Sequence, residues 1–452
     1  MKAAAPTLLC LLGYFTSYPI VSAAEPPLGS QSSAPAVAQE SLEQFQRRMA
    51  WWREARFGLF IHWGIMSIPG RECLVMYKER ITVDEYEKLV PRFNPEKFSA
   101  REIVSLARQA GQKYIVFVAK HHDGFCMWDS QLTDYDIMAT PFKRDIVKEL
   151  AEECGRQGLR FCVYYSILDW HHPHCRWQQW PKYVAYMKGQ LRELLTGYGP
   201  IGVLWFDGEW IEEWTDREGR ELYDYVRALQ PQIIVNNRVG KGRQDMAGGT
   251  KHGFFPADFE TPEQLVPRKD GPGADWESCM TINNSWSYTE NDAQHKSVPT
   301  LLQTLAAVAA QGGNFLLNIG PRPDGSIVPL QTDRLVAIGH WLEVHGESIS
   351  GTTGSPFPQP LPWGHCTRRP GRLYLHVFNW PADGKLVVPG LRNAVARAFV
   401  LSDPERTRLP VSVEDRGAVL DVPAAAPDPV NSVIVLELEG EPKIAPEPAA
   451  SK

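Results

Sequence analysis

The sequence predicts an α/β protein in which a closed (β/α)8-like barrel precedes a small antiparallel β-sandwich. Three features carry that expectation. From about residue 50 to 350, apolar runs of strand length alternate with stretches of helical spacing, the pattern of parallel strands joined by crossover helices. Several runs stop abruptly at a polar or charged residue, as strands do where a barrel opens onto its active-site rim. After Gly351 the helical spacing ceases, and short apolar runs follow one another between Pro, Gly and Asp. The number of strand–helix units favours closure into a TIM-type barrel over an open sheet.

Residues 1–24 read as a signal peptide. Met1 and Lys2 precede an apolar run through Leu8, Leu9, Leu11 and Leu12, and Ser22, Ala23 and Ala24 supply the small residues of a cleavage site. That run is too short and too interrupted to span a bilayer, and no later stretch approaches the ~20 continuous apolar residues of a membrane helix. Export to a periplasmic, secreted or lysosomal-type compartment is therefore expected. Cys10 lacks the small neighbours of a lipoprotein anchor and leaves with the peptide. Residues 25–40, rich in Pro, Ser and Ala, form a flexible leader.

The barrel is expected over 41–351. Residues 42–54 make its first helix, and 57–64 a strand that delivers His62. Helix 101–110 leads into the buried run 113–119, which stops at Lys120-His121-His122-Asp123-Gly124. Helix 145–157 places Ile146, Leu150 and Cys154 on one face, and the strand 159–166 follows, ending in Tyr164-Tyr165-Ser166. Helix 183–196 feeds the apolar run 201–207, which breaks off at Asp207 among aromatic rings. Helix 222–229 feeds 233–238, ending at Arg238, and helix 300–311 feeds strand 314–319; 331–344 is the last long helix. No glycine-rich phosphate fingerprint follows the first strand, so a nucleotide-binding fold lacks support.

The sandwich is expected over 352–441, with strands at 373–378, 385–388, 396–401, 411–413 and 433–438. Residues 442–452, rich in Pro and Ala, form a flexible tail. Once Cys10 is lost, an odd set of cysteines remains (Cys73, Cys126, Cys154, Cys162, Cys175, Cys279 and Cys366), with no C-x-x-C pair. Mostly free thiols, with at most one or two bridges, are expected.

At 452 residues and 43% hydrophobic composition the chain can bury a large core. A net charge of −6 without a basic stripe argues against nucleic acid as partner. A neutral substrate fits better, and the chain's 15 tryptophans offer rings on which sugars are held. The strand ends deliver His62, His121, His122, Tyr164, Asp207 and Arg238, side chains that hydrogen-bond hydroxyls from several directions. Asp207 could instead cap the following helix, and any one histidine could be satisfied in a core. Adjacent His121 and His122 would point to opposite faces of a strand, so a shared metal ion is not expected. Glycoside hydrolysis needs a second carboxyl group beside Asp207. Two acidic stretches offer one, 258–264 with Asp258, Glu260 and Glu263, and 275–281 with Asp275 and Glu277.

Phe60-Ile61-His62-Trp63-Gly64, Lys120-His121-His122-Asp123-Gly124-Phe125, Trp205-Phe206-Asp207-Gly208 and Trp276-Glu277-Ser278-Cys279-Met280, in that order, resemble the α-L-fucosidases of glycoside hydrolase family 29. The resemblance runs from about residue 45 to 350. It implies a barrel with an appended β-sandwich, no metal or other cofactor, and retaining hydrolysis of terminal α-L-fucose from fucosylated oligosaccharides or glycoconjugates. Asp207 falls on the family's nucleophile. The family's acid/base falls on Glu263 through the pattern Asp-Phe-x-Thr-x-Glu, with Glu277 as runner-up. His62, His121, His122, Tyr164, Trp205 and Arg238 match positions that bind the fucose ring, and Trp286 the side that carries its methyl group. One departure stands out. Leu74, in Cys73-Leu74-Val75-Met76, occupies a place where the family often has tryptophan, which keeps a related sugar such as an α-L-galactoside as an alternative beside a non-hydrolytic fucose-binding protein. The sequence leaves the oligomeric state open.

Overall fold

A computed structural model of the protein describes residues 40–175, 179–267 and 274–445. The expected signal peptide, the leader up to residue 39 and residues 446–452 of the tail lie outside the described residues. Parallel strands β1 (Phe57–Ile61), β2 (Tyr114–Lys120), β3 (Arg160–Ser166), β4 (Val203–Asp207), β5 (Ile234–Val235), β6 (Glu277–Thr281) and β7 (Asn314–Ile319) form one sheet. Their hydrogen-bonded order is β5-β4-β3-β2-β1-β7-β6. The space between the edge strands β5 and β6 is spanned by residues 258–263. On one side Asp258 N donates to Val235 O at 3.0 Å and Asn237 N to Phe259 O at 2.9 Å. On the other, Glu277 N reaches Glu260 O at 2.9 Å and Cys279 N reaches Pro262 O at 3.1 Å. The eighth stave of the (β/α)8-like barrel is therefore an irregular stretch held by single bridges, in which Pro262 has no N–H to offer a ladder. Among the described residues no α-helix lies between β5 and β6.

Five of the long helices start where their sequences provide side-chain caps. Ser41 and Thr215 build capping boxes with Gln44 and Glu218 at the heads of Leu42–Ala55 and Asp216–Leu229. Ser99, Asp145 and Ser297 cap Ala100–Gln109, Ile146–Gln157 and Val298–Ala310. Because Thr215 caps the helix after β4, the capping role considered for Asp207 is not the one it plays.

Strand parity divides the core in two. Phe60, Tyr114, Val116, Val118, Cys162, Tyr164, Val203, Trp205, Cys279 and Leu316 pack together inside the barrel, while the apolar residues that alternate with them along the strands face the surrounding helices. Trp52 and Met49 of the leading helix close the base of the interior, and Asn314 Nδ2 donates to Trp52 O at 2.7 Å. Gly58 is required there: a Cβ would lie 2.4 Å from the Tyr114 ring. Arg48 grips both oxygens of Asp258 at 2.8 Å, and Arg53 binds Asp275 at 2.7 and 2.6 Å. Those two acids thus serve to anchor the irregular stave to the leading helix.

After the last barrel helix (Pro329–His345) come β8 (Gly364–Arg369), β9 (Arg372–Val377), β10 (Lys385–Pro389), β11 (Val395–Val400), β12 (Val411–Glu414), β13 (Gly417–Asp421) and β14 (Ser432–Leu438). They form antiparallel sheets ordered β11-β14-β9-β8 and β10-β13-β12. β14 is buried on both faces. Ile434, Leu436 and Leu438 enter the core between the sheets, whereas Val433 and Val435, with Tyr374 and Phe399, pack on the barrel layer. The tail expected from residue 442 is held further than its composition suggests, since Lys443 N donates to Asn393 Oδ1 at 2.6 Å and Ala445 N to Gly390 O at 2.8 Å. Cys73, Cys126, Cys154, Cys162, Cys175 and Cys279 carry free thiols, and these six and Cys366 are all buried. Among the described residues no helix is long and apolar enough to cross a membrane.

Candidate active site

The carboxyl ends of β1 to β4, with Arg238 just beyond β5, surround a cavity of about 160 Å³. His62, His121, His122, Tyr164, Trp205, Asp207, Arg238, Glu263 and Trp286 are among the residues that line it, with Phe60 beside them, so nine of the ten residues singled out for the site from sequence converge, Glu277 being the exception.

Asp207, the last residue of β4, is 9% exposed. Its Oδ1 accepts from Arg238 Nη1 at 2.8 Å and its Oδ2 from the Tyr164 hydroxyl at 3.0 Å. Burial alone would raise its pKa, but Arg238 and then His122 outweigh that and hold the carboxyl below its ordinary range. Gly208, at φ +86°, turns the chain immediately after it, and a Cβ there would meet Leu168 N at 2.6 Å. Arg238 also donates from Nη2 to Glu263 Oε2 at 2.8 Å and from Nε to Thr261 Oγ1 at 3.0 Å. One planar guanidinium thereby holds Asp207, Glu263 and the irregular stave in fixed relation. Its carbon lies 4.4 Å from the Trp205 ring centroid.

Glu277 has a different environment. It is 0% exposed, accepts from Trp205 Nε1 at 3.1 Å and from the Tyr114 hydroxyl, and burial pushes it up to about 7 against those two hydrogen bonds. It fixes the underside of the Trp205 indole and is not part of the cavity wall.

His62 and His122 are hydrogen-bonded through Nδ1, and burial disfavours a charge on all three site histidines. His62 Nδ1 meets Asn318 Oδ1 at 2.6 Å while Asn318 Nδ2 donates to Trp286 O at 2.7 Å; Asn318 Oδ1 is therefore the acceptor and His62 Nε2 is left as an acceptor toward the cavity. Likewise Ser166 Oγ donates to Leu168 O and accepts from His122 Nδ1 at 2.6 Å. That leaves His122 Nε2 as an acceptor 3.7 Å from Asp207 Oδ2, a gap suited to a donating hydroxyl. Burial lowers His62 to about 3 and His122 to about 4, and lowers His121 as well.

The opposite-face expectation for His121 and His122 is corrected. A bulge between Val118 and Lys120 shifts the β2–β3 register, so Lys120 turns outward to Asp169 at 2.9 Å and His121 inward. His122 lies past the strand end, where alternation no longer applies, and its ring is 4.3 Å from that of His121. Among the described residues no group of three or more His, Cys, Asp or Glu is placed to hold a metal ion.

Sequence reasoning missed Arg243, which donates to Glu263 Oε2 at 3.3 Å, and Asn318, which orients His62. Neither carries a local signal, since each acts on a residue distant in the chain. Trp210 also reaches the cavity, and its place three residues after Asp207 was the available hint.

A barrel whose rim gathers two carboxyl groups, neutral histidines and aromatic rings around a small cavity is the architecture of a glycoside hydrolase. The family profile described as Alpha-L-fucosidase matches residues 27–347. The chain is 32% identical over 377 residues to a human plasma alpha-L-fucosidase, covering 75% of this chain and 77% of that protein. It resembles the solved alpha-L-fucosidase isoenzyme 1 of Paenibacillus thiaminolyticus with TM-score 0.80 and 35% identity, over 87% of this chain and 99% of that one. A Bacteroides thetaiotaomicron alpha-L-fucosidase, trapped as a covalent intermediate with 2-fluoro-fucosyl fluoride, superimposes with TM-score 0.81 at 27% identity, over 92% of this chain and 100% of that one. The protein belongs to the α-L-fucosidase family of glycoside hydrolases.

Proposed function

We propose that the protein is an exo-acting retaining α-L-fucosidase in which Asp207 is the nucleophile and Glu263 the acid/base. The observation that carries the proposal is the sharing of Arg238 by the two carboxyl groups at the wall of one sugar-sized cavity. Asp207, charged at neutral pH, attacks the anomeric carbon as the bond to the leaving oxygen breaks and Glu263 gives that oxygen its proton. For that step Glu263 must be released from its contacts with Arg238 and Arg243. Glu263 then takes a proton from water, whose oxygen attacks the same carbon and frees Asp207, so the α configuration is restored. Carboxyl groups ~5–5.5 Å apart suit this double displacement.

His62, His121, His122, Tyr164 and Arg238 bind the ring hydroxyls, while Trp205 and Trp286 cover its apolar surface. The substrate is a fucosylated oligosaccharide or glycoconjugate. The catalytic barrel spans 41–351 and the sandwich 352–441, preceded by a cleavable signal peptide that directs export. Asp207→Gly should abolish turnover of an aryl α-L-fucoside and yield a β-fucosyl azide when azide and an activated substrate are supplied. Glu263→Ala should be rescued by azide as the α-fucosyl azide. Rescue of Glu277→Ala in place of Glu263→Ala would overturn the acid/base assignment. An α-L-galactoside is the second reading. Leu74 lines the cavity, and a larger kcat/KM for the galactoside than for the fucoside would establish it.

A further inference from the structure

A third carboxyl group stands close to Asp207 and Glu263. Glu209, two residues past Asp207, is 4% exposed, and its Oε2 is buried without a hydrogen-bond partner. Arg243 has an unused donor to match, because its Nε is likewise buried without a partner. The contacts that Arg243 does make leave from one nitrogen, Nη2, to Thr261 O and Glu263 Oε2, both at 3.3 Å. That lies beyond the usual range of about 2.7–3.2 Å, whereas Arg238 holds the same Glu263 oxygen at 2.8 Å. The loop that carries Arg243 is pinned to the backbone at Glu209, since Lys241 Nζ donates to Glu209 O at 3.1 Å and to Ile211 O at 2.6 Å. Gly242, at φ +88°, turns the chain between that clasp and Arg243. Of the carboxyl groups whose charge acts on Arg243, Glu209 acts most strongly, ahead of Asp207 and Glu263.

An unpaired carboxylate removed from water is costly, so a group buried in this way keeps its proton instead. Burial and then the charge of Asp207 push Glu209 up to about 7, against Arg238 and Arg243. Glu209 thus faces Asp207 at its own strand end, Arg238 beyond β5, and Lys241 and Arg243 on the loop that follows. Glu263 faces Arg238, Arg243 and the Cys279 thiol. A guanidinium only donates, so Glu263 Oε2 accepts where an acid must present a proton. We propose that Glu209 is the positioning residue that frees Glu263: as the sugar enters, Arg243 passes from Glu263 to Glu209, and the proton of Glu209 passes to Glu263. The O–H bond of Glu209 breaks, one forms on Glu263, and the ion pair moves the opposite way, so the net charge of the site is unchanged and no proton is drawn from solvent. Arg243 and Glu263 both line the sugar cavity, which puts the exchange where an entering ring displaces their contact. The inference rests on Glu263 being the acid/base of the proposed fucosidase.

The test measures kcat/KM, which covers the steps up to departure of the leaving group, for wild type, Glu209→Gln, Arg243→Gln and the double variant. Two substrates are compared: 2-chloro-4-nitrophenyl α-L-fucoside, whose leaving oxygen needs little protonation, and an α-L-fucosyl disaccharide, whose leaving oxygen needs it fully. Glu209→Gln keeps the side chain's shape but neither its charge nor its proton. It should lose about tenfold or more on the disaccharide and less than about threefold on the aryl fucoside, as a weakened general acid does. Its basic limb should move to lower pH, and that of Arg243→Gln to higher pH, each by about one unit; these limbs belong to the pair of carboxyl groups together. In the Arg243→Gln background Glu209→Gln should cost less than about twofold, because its partner is gone. Equal losses on the two substrates, limbs that stay in place, or losses that simply multiply in the double variant would each overturn the inference. Should Glu209→Gln not fold, Arg243→Gln alone still decides against it if its basic limb stays or falls. Failure of azide to rescue Glu263→Ala would instead refute the assignment of the acid/base on which the inference rests.

Discussion

Replacing Arg238 with Met removes the cation that outweighs burial at Asp207 while keeping most of the side chain's length. In the wild type its Nη1 lies 2.8 Å from Asp207 Oδ1 and its Nη2 2.8 Å from Glu263 Oε2. Glu263 keeps Arg243 at 3.3 Å, and Asp207 keeps the Tyr164 hydroxyl at 3.0 Å. Asp207, almost without solvent, loses the strongest group holding its proton off. An adjacent opposite charge is worth about 1–3 pH units on a carboxyl. The acid limb of kcat/KM, which reports free-enzyme groups, should therefore move up by about 1–3 units in Arg238→Met.

The sign of the stability effect is fixed too. A depressed carboxyl contributes stability above its unfolded value, lost as pH falls through the folded one, so the variant forfeits that contribution at neutral pH. Leaving a buried charge unpaired costs about 3–5 kcal/mol, which thermal denaturation would register. Arg238→Lys keeps the charge but not the two-pronged geometry, and should lower the rate with a smaller shift of the limb. A Met variant whose rate falls while its acid limb stays at the wild-type pH would refute this account of Asp207.

Two further substitutions separate supporting groups from reacting ones. Glu277→Gln disturbs the acceptors of Trp205 Nε1 and the Tyr114 hydroxyl and should destabilise the protein by about 1–3 kcal/mol, with azide giving no recovery of turnover. Gly208→Ala imposes a side chain at φ +86° and 2.6 Å from Leu168 N. A lowered melting temperature together with a fall in kcat is expected, since the strain falls beside Asp207, the proposed nucleophile.

Much of this was legible in the chain because barrel strands are apolar on both faces and stop at polar residues. The run ending at Asp207 and the run ending at His62 were readable for that reason. β6 was harder. Its sequence Glu277–Thr281 mixes acid, hydroxyl and thiol groups, and it reads as a strand only once Trp205 and Tyr114 are seen to satisfy Glu277. β8 hides behind the arginines of Gly364–Arg369, whose strand is only partly buried. The bulge before Lys120 could not be read locally, because a single extra residue changes which way His121 points without changing composition. The division of labour among the acids near Glu263 was equally hidden. Asp258 and Asp275 are claimed by Arg48 and Arg53, more than 200 residues away in sequence.

As the proposed nucleophile, Asp207 forms the covalent bond to fucose. Incubation with 2-fluoro-fucosyl fluoride, followed by proteolysis and mass mapping, tests it directly. One fluorofucosyl adduct on the peptide bearing Asp207, accumulating as activity is lost, is the predicted result; an adduct on Glu263 or Glu277, or inactivation without any adduct, would contradict it.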